Sequence, residues 1–287
     1  TGDSSGLISL KELFDGDIEP KITGDIRVEE LIYYSVRGGW PENISVSADH
    51  AENLAKEYLK TVIDDDMFKV DGVRRDINKL WSLVHSLGRN ESTIVKNSTI
   101  IKDIAEKEGL SIDSDTVTEY LNIFSRLFII DNQPSFSTEL RSKRRILKSA
   151  KRHFVDPSLA VAAIGATKEM LLNDLNTFGF IFESLCEHDL KIYAEYYGGK
   201  LFHYRDDKAK EVDAIIEFQD GTYGAFEIKL GVNQIDKAAE ELLSFKRMME
   251  HNGDSVPKVL CVISGMSNMA YKREDGVIVV PITALRP

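Results

Sequence analysis

One stretch of this chain, residues 211–230, alternates apolar and polar side chains so regularly that it predicts a β-hairpin. In residues 211–218 the even-numbered positions are apolar, and the polar residues, Asp213 among them, share the other face. In the next strand Phe226 and Ile228 are apolar, while Glu227 and Lys229 point to the opposite side. The register is therefore constrained, because a slip by one residue would put the two apolar sets on opposite faces.

The loop of this hairpin decides which polar residues meet. A three-residue loop at positions 219–221, with Gly221 in a left-handed conformation, keeps the apolar sets together and places Asp213 opposite Glu227. A two-residue turn would instead pair Asp213 with Ile228. The hydrophobic pattern thus predicts that Asp213, Glu227 and Lys229 converge.

This trio has the chemistry of a metal-assisted phosphodiesterase. Two adjacent carboxylates repel each other unless a cation lies between them, and hard oxygen ligands suit Mg²⁺. Such an ion polarises a phosphodiester and lowers the pKa of a bound water, while a neighbouring ammonium offsets charge on the phosphoryl group. The alternative is a surface Glu–Lys pair on an exposed sheet face, with Asp213 as a solvated neighbour.

The region around the hairpin predicts an α/β domain. From Asp156 onward, strand patterns alternate with helical ones in the order αβββαβ. The expected elements are a helix at 178–192, strands at 201–205, 211–218 and 223–230, a helix at 235–250 and a strand at 259–263.

The first half of the chain is predicted to be helical. Residues 26–90 contain three amphipathic stretches, and the first of them stops at Gly38 and Gly39, before Pro41. Residues 91–160 have the pattern of a winged helix-turn-helix: a short helix, a turn at 109–111, a longer helix and two short strands. We therefore expect a helical bundle at 1–90, a winged helix at 91–160 and the α/β domain at 161–287.

A basic segment lies between the two strands of the predicted wing. Residues 141–153 contain seven Lys and Arg and no acid, in a chain whose net charge is −11. If the protein binds DNA, we expect the contact there, through Arg141, Lys143, Arg144, Arg145, Lys148, Lys151 and Arg152. A solvated basic hairpin, or one that docks on an acidic neighbour, is equally compatible with this composition.

The outer face of the second helix of the motif argues against base reading. It presents Asp115, Thr116, Thr118, Glu119 and Asn122, and two carboxylates there repel phosphates. We therefore expect this winged helix to pack or to recognise shape.

Two further features of the composition limit the function. No apolar run approaches the length of a membrane span and the N-terminus has no signal-peptide pattern, so we expect a cytoplasmic protein with no membrane partner. The two cysteines, Cys186 and Cys261, stand in apolar surroundings that favour buried thiols.

The hairpin motif resembles that of the PD-(D/E)XK nuclease superfamily. The sequence E-V-D ends at Asp213 and stands fourteen residues before E-I-K, which begins at Glu227. The resemblance implies that Asp213 and Glu227 bind Mg²⁺ or Mn²⁺ and that Lys229 assists the attacking water. Many members carry a Glu on the preceding helix, and Glu183 occupies that place as a fourth catalytic and metal-binding residue.

A longer resemblance covers nearly the whole chain. It is similar to a prokaryotic family of predicted AAA-type ATPases with a C-terminal domain of unknown function, made of a winged helix and a nuclease-like fold. The segments that carry this resemblance are S-S-G-L-I-S-L-K-E-L-F at 4–14, R-G-G-W-P-E at 37–42, T-V-T-E-Y-L at 116–121 and F-V-D-P at 154–157.

This chain departs from that family in one respect, because it contains no G-x-x-x-x-G-K-[ST] phosphate loop. We expect it to be the part after the ATPase core, with residues 1–90 including the lid, and to have no ATPase activity alone. ATP would bind only through the missing upstream module, which would be a partner in cis. Arg37 would then approach the nucleotide or lie on the surface at a helix end.

Three hypotheses about function follow. The first is a Mg²⁺- or Mn²⁺-dependent nuclease linked to an ATPase and acting on DNA. The second is a catalytically silent nuclease fold that, with the winged helix, binds nucleic acid or protein and regulates the ATPase. The third is a domain that mainly holds the ATPase in a homo-oligomer.

Overall fold

The computed structural model describes residues 6–16, 18–44, 46–138 and 149–287, and these form two compact units. Unit 1 comprises Thr1–Leu31, Pro134–Lys148 and Leu185–Pro287, and unit 2 comprises Ile32–Gln133 and Ser149–Ser184. The three-segment division expected from the sequence stays a prediction.

The described helices and strands follow one another along the chain as follows. The helices are α1 Leu10–Asp15, α2 Val28–Arg37, α3 Ala48–Thr61, α4 Met67–Lys69, α5 Ile77–Arg89, α6 Asn97–Glu108, α7 Ser114–Arg126, α8 Pro157–Ala163, α9 Lys168–Asn173, α10 Leu175–Tyr196 and α11 Ile235–Asn252. The strands are β1 Ile8–Ser9, β2 Lys21–Ile22, β3 Lys200–Arg205, β4 Glu211–Glu217, β5 Tyr223–Lys229, β6 Val259–Ser264, β7 Met269–Lys272, β8 Ile278–Pro281 and β9 Leu285–Arg286. A π-helical turn, Val62–Asp66, joins α3 to α4. None of the described helices is long and apolar enough to span a membrane.

Unit 2 contains the predicted winged helix. Helix α6 stops at Gly109, whose φ is +65°, and α7 begins where the Asp113 carboxylate accepts the Thr116 N–H at 2.8 Å. The apolar stripe of α7, including Val117 and Phe124, is buried. Short antiparallel bridges then join the strand segments of the wing: Thr93 with Arg152, Ile130 with Phe154, and Gln133 with Lys151. The helix-turn-helix and the two-stranded wing are therefore confirmed.

Unit 1 is built on a seven-stranded mixed sheet in the order β2-β7-β8-β6-β5-β4-β3. The pairs β5–β6 and β6–β8 are parallel, and the other neighbouring pairs in this sheet are antiparallel. Helix α11 provides the crossover from β5 to β6 and buries Leu242 and Phe245 against Ile215 and Ala225. The predicted αβββαβ order, α10-β3-β4-β5-α11-β6, is confirmed.

Several strands of unit 1 are not anticipated by the sequence patterns. The run at Ile278–Pro281 is a fully buried strand, parallel to β6 and antiparallel to β7, and short buried runs carry no alternation that separates them from loops. The two-residue strand β1 pairs in parallel with β9 at the far end of the chain. A pair of this length has no periodicity to detect, so only its tertiary context defines it.

Candidate functional site

The β4–β5 hairpin has the register that its apolar alternation predicts. The N–H of Phe218 donates to the carbonyl of Thr222 at 2.9 Å, which leaves residues 219–221 as a three-residue loop. Gly221 has a φ of +80°, the left-handed conformation that such a loop requires. The pairing runs from Glu217 with Tyr223 to Ala214 with Phe226. One residue further along this register, Asp213 stands opposite Glu227.

The two strands part at Asp213. Beyond Ala214 and Phe226 the described ladder of β4 and β5 has no further pair, and β4 shifts its register against β3 between Phe202 and Tyr204. The Asp213 carboxylate takes over as acceptor and binds the N–H of Ile228 at 2.8 Å. This hydrogen bond fixes the carboxylate between the diverging strands.

Lys229 brings the two carboxylates together. Its ammonium lies 3.1 Å from Oδ2 of Asp213 and 2.7 Å from Oε2 of Glu227. Glu227 is only 3% exposed, and the side chains of Asp213 and Lys229 are 14% and 24% exposed. Strand alternation places the trio on the same sheet face as Ala225. Helix α11 covers this face, so it is not an exposed one. The convergence predicted for the trio is thus confirmed, and the surface-pair alternative is wrong for Glu227.

The protonation equilibria of the site reflect its burial. Burial raises the pKa of Glu227 well above its usual value, the Asp213 carboxylate adds to the rise, and Lys229 opposes it. Burial also disfavours the charged form of Lys229, but the charges of Asp213 and Glu227 outweigh it and raise the pKa of the ammonium. The site therefore holds one cation against two acids, one of which resists ionisation.

Glu183, the fourth predicted site residue, is part of unit 2 and lies on α10. Its carboxylate pairs with the ammonium of Lys151, which is completely buried on the second strand of the wing, opposite Gln133. One helical turn further along α10, in unit 1, stands Glu187, which is buried, whereas Glu183 is partly exposed. Sequence reasoning overlooked Glu187, although its i+4 spacing from Glu183 was a visible signal.

The donor chemistry of the trio suits a hard cation. Within the described ranges, no three or more His, Cys, Asp and Glu side chains form a group that could hold a metal ion. Mg²⁺, however, is usually bound through one or two carboxylates, with waters and substrate phosphates completing its shell. Asp213 and Glu227 supply two such carboxylates. The metal assignment of Glu183 stays a prediction.

The basic segment is described only in part. Arg141, Lys143, Arg144, Arg145 and Lys148 lie outside the described residues. Of the two that are described, Lys151 is committed to Glu183, and Arg152 donates to the Asn97 side chain at 3.0 Å. Burial lowers the pKa of Arg152. The DNA contact expected at this segment stays a prediction.

Asn97 connects Arg152 to the second helix of the motif, because its amide donates to Thr118 on α7 at 3.1 Å. On the same helix, Glu119 pairs with Arg75 at 2.8 Å. One of the two carboxylates expected to repel phosphates is therefore paired with Arg75 within unit 2, whereas Asp115 lies on the exposed face.

Two of the segments singled out in the sequence meet inside unit 2. The N–H of Gly39 donates to the Asp156 carboxylate at 2.8 Å, and the indole of Trp40 donates to Ser158 at 2.9 Å. Gly38 has a φ of +69°, and a Cβ on it would lie 2.4 Å from an Asp156 oxygen. Hydrogen bonds and close packing at this turn thus join the segment R-G-G-W-P-E to the segment F-V-D-P.

Arg37, next to that turn, is half-buried over the rings of Tyr33 and Tyr34. Its Nε–H donates to the carbonyl of Gly38 at 3.3 Å. The nucleotide role of Arg37 stays a prediction.

Fold and site together define the class of protein: a helical region with a winged helix, and a mixed α/β domain whose sheet carries a buried carboxylate–lysine cluster. Residues 28–170 match the model of a domain of unknown function (DUF8612). Residues 178–285 match a second domain of unknown function (DUF4143), which is often C-terminal to ATPases. No curated protein and no solved structure matches the chain.

Proposed function

We propose that this chain carries a Mg²⁺- or Mn²⁺-dependent phosphodiesterase site that acts on DNA, in the part of an AAA-type ATPase that follows the nucleotide-binding core. The observation that carries the proposal is the position of Lys229 between Asp213 and Glu227, where β4 and β5 part. The match to a domain often found after ATPases supports the second half of the proposal.

Each residue of the trio has a task in this reaction. Asp213, oriented by the N–H of Ile228, and Glu227, placed in a poorly solvated position, hold the ion. When bound, the ion supplies polarisation of the phosphodiester and a more acidic water. Lys229 would orient the attacking water and offset the charge that builds on the phosphoryl group. Because burial makes the charged form of Glu227 costly, a cation is favoured beside it.

Cleavage of supercoiled plasmid and single-stranded DNA with Mn²⁺ tests the proposal. We expect Lys229→Ala to reduce the rate by about 100-fold or more, the usual effect of removing one electrostatic contributor. The matched control is Lys200→Ala, since Lys200 is exposed at the opposite end of the same sheet, across from Glu217. Cleavage that survives Lys229→Ala would belong to a contaminant and would sink the proposal.

A second candidate, a catalytically silent module that binds nucleic acid or protein and regulates an ATPase, is favoured by one observation. Lys229 already compensates both carboxylates, and Glu183 has its own cation in Lys151. Calorimetric titration with Mn²⁺ separates the candidates. A phosphodiesterase site binds the ion and loses it in Asp213→Asn, whereas a silent site gives no heat in either protein.

A further inference from the structure

Arg152 is a half-buried cation that has no carboxylate partner among the described residues. Burial lowers the pKa of its guanidinium, and no neighbouring charge in the described part of the chain opposes that shift. Its Nη2–H donates to the Asn97 side chain at 3.0 Å, whereas its buried Nε–H has no acceptor among the described residues. A buried cation left in this way calls for an explanation, and an anionic ligand supplies one.

The surroundings of Arg152 hold its guanidinium in one orientation. The amide of Asn97 donates to the hydroxyl of Thr118 on α7 at 3.1 Å, so the oxygen of the same amide faces Arg152. The backbone N–H of Arg152 donates to the carbonyl of Thr93 at 2.9 Å. Because the planar fork is fixed in advance, it loses little conformational entropy when it binds two oxygens of one phosphate.

The charges around this guanidinium favour a polyanion that is bound through its backbone. Lys96, the N-cap residue of α6, is exposed. Arg152 itself belongs to the segment 141–153, which contains seven Lys and Arg and no acid. A row of bases suits the repeated phosphates of a nucleic acid. Asp115 and Glu119 on α7, in contrast, disfavour the contacts to base edges that read a sequence.

We propose that Arg152, held by Asn97, binds a backbone phosphate of duplex DNA, and that the winged helix thereby contacts DNA without reading its sequence. The remaining N–H groups of the guanidinium donate to the phosphate oxygens, and Lys96 adds positive charge on the same helix end. The choice of DNA rests on the proposed function. The contact itself does not involve the trio, so binding and cleavage can fail separately.

Fluorescence anisotropy of a labelled duplex of about 20 base pairs, in EDTA and about 50 mM salt, tests this inference. We expect Arg152→Met to weaken binding at least about fivefold and to lower the slope of log Kd against log salt concentration by about 0.9. Duplexes of unrelated sequence should bind within about threefold of one another. Binding of the parent without cleavage in Mn²⁺ would support this inference and contradict the proposed function.

Two matched controls accompany a diagnostic variant. Lys107→Met removes one exposed positive charge at the opposite end of α6 and should change the affinity less than about twofold. Asn97→Asp gives Arg152 the carboxylate that it lacks, so the melting temperature should not fall, while DNA binding should weaken at least about fivefold. Asn78→Asp, exposed on α5, controls for the added negative charge. A residue with a structural role alone would not produce this opposition.

Three results would overturn the proposal. The first is a parent chain that does not bind the duplex, or an Arg152→Met protein with the affinity and salt slope of the parent. The second is a rise of the melting temperature with inorganic phosphate that Arg152→Met abolishes, in a chain that binds no duplex, which would make the ligand a small phosphorylated compound. The third is tighter binding of an RNA duplex of the same sequence, which would make it RNA.

Discussion

At the scale of single residues, Lys229 is the one cation that the trio contains. It stands between a partly exposed acid, Asp213, and a buried one, Glu227. Removing one partner of such an ion pair lowers the free energy of unfolding by more than the intact pair contributes, because the remaining charge stays buried without compensation. The consequences of its loss therefore depend on whether Glu227 can take up a proton.

Lys229→Met tests this dependence. Since Lys229 is partly exposed, we expect the free energy of unfolding at about pH 8 to fall by about 2 kcal/mol. The pKa of Glu227 is raised in the folded protein, so the folded state takes up a proton more readily than the unfolded chain as the pH falls. Loss of Lys229 raises that pKa further, so the deficit should shrink as the pH falls from the variant's pKa of Glu227 to the parent's, the interval in which only the folded variant has taken up the proton.

Urea unfolding of the variant and the parent at about pH 8 and about pH 5.5 measures the deficit across this window. A deficit that is equal or larger at the lower pH would contradict the assignment of Glu227 as the group that resists ionisation.

Gly38 gives a second prediction at this scale. Gly38→Ala combines the strain of a positive φ with a Cβ placed against Asp156 and Ser158. Gly72→Ala is its matched control, because Gly72 has a φ of +74° and nothing within 4 Å of an added Cβ. We expect the control to lose about 1 kcal/mol in urea unfolding and Gly38→Ala to lose at least about 2 kcal/mol more. Equal losses would show that the turn tolerates a Cβ.

At the scale of elements, two hydrogen bonds, from Arg152 to Asn97 and from Asn97 to Thr118, connect the wing to α6 and α7. The residues involved contribute unequally. Asn97 accepts a hydrogen bond from Arg152 and donates one to Thr118. Arg152, in contrast, brings a charge out of water and has no carboxylate partner among the described residues.

We therefore expect Asn97→Leu to cost about 1.5 kcal/mol in urea unfolding, since it leaves the Arg152 guanidinium without an acceptor. Arg152→Met removes the half-buried charge itself and should change stability by less than about 0.5 kcal/mol, or increase it. A larger loss for Arg152→Met than for Asn97→Leu would reverse the roles of the two residues.

Some elements of this fold can be predicted from the sequence, and others cannot. The hairpin can be predicted from the alternation alone, because Phe226 and Ile228 must lie on one face. The register that satisfies this condition places Asp213 opposite Glu227. The strand at Ile278–Pro281 and the β1–β9 pair escape such reasoning, because they are too short to show a period. The Lys151–Glu183 pair could not be predicted for another reason: the two residues are far apart in the chain, and only tertiary packing brings a carboxylate to the buried ammonium of Lys151.

At the scale of the whole molecule, unit 1 is assembled from separated segments. The pairing of Ile8 with Leu285 joins the first described strand to the last, and both side chains are buried. Unit 2 consists of two segments, Ile32–Gln133 and Ser149–Ser184, so its last residue is Ser184.

Deleting residues 285–287 tests this arrangement. We expect hydrogen exchange to accelerate in residues 6–16, which lose their partner strand, while α5, α6 and α7 keep their protection. Equal acceleration in both regions would show that the two units unfold as one.

The contact of Phe14 with Phe218 and Phe226, whose ring centroids lie 4.7 and 6.4 Å away, has a consequence for biosynthesis. The partner rings leave the ribosome about 200 residues after Phe14, a delay of roughly 10–40 s at ordinary translation speeds. Throughout that time the apolar face of α1, which also includes Leu10 and Leu13, has no sheet to cover it. We therefore expect the segment Leu10–Asp15 to bind chaperones while the chain is being synthesised.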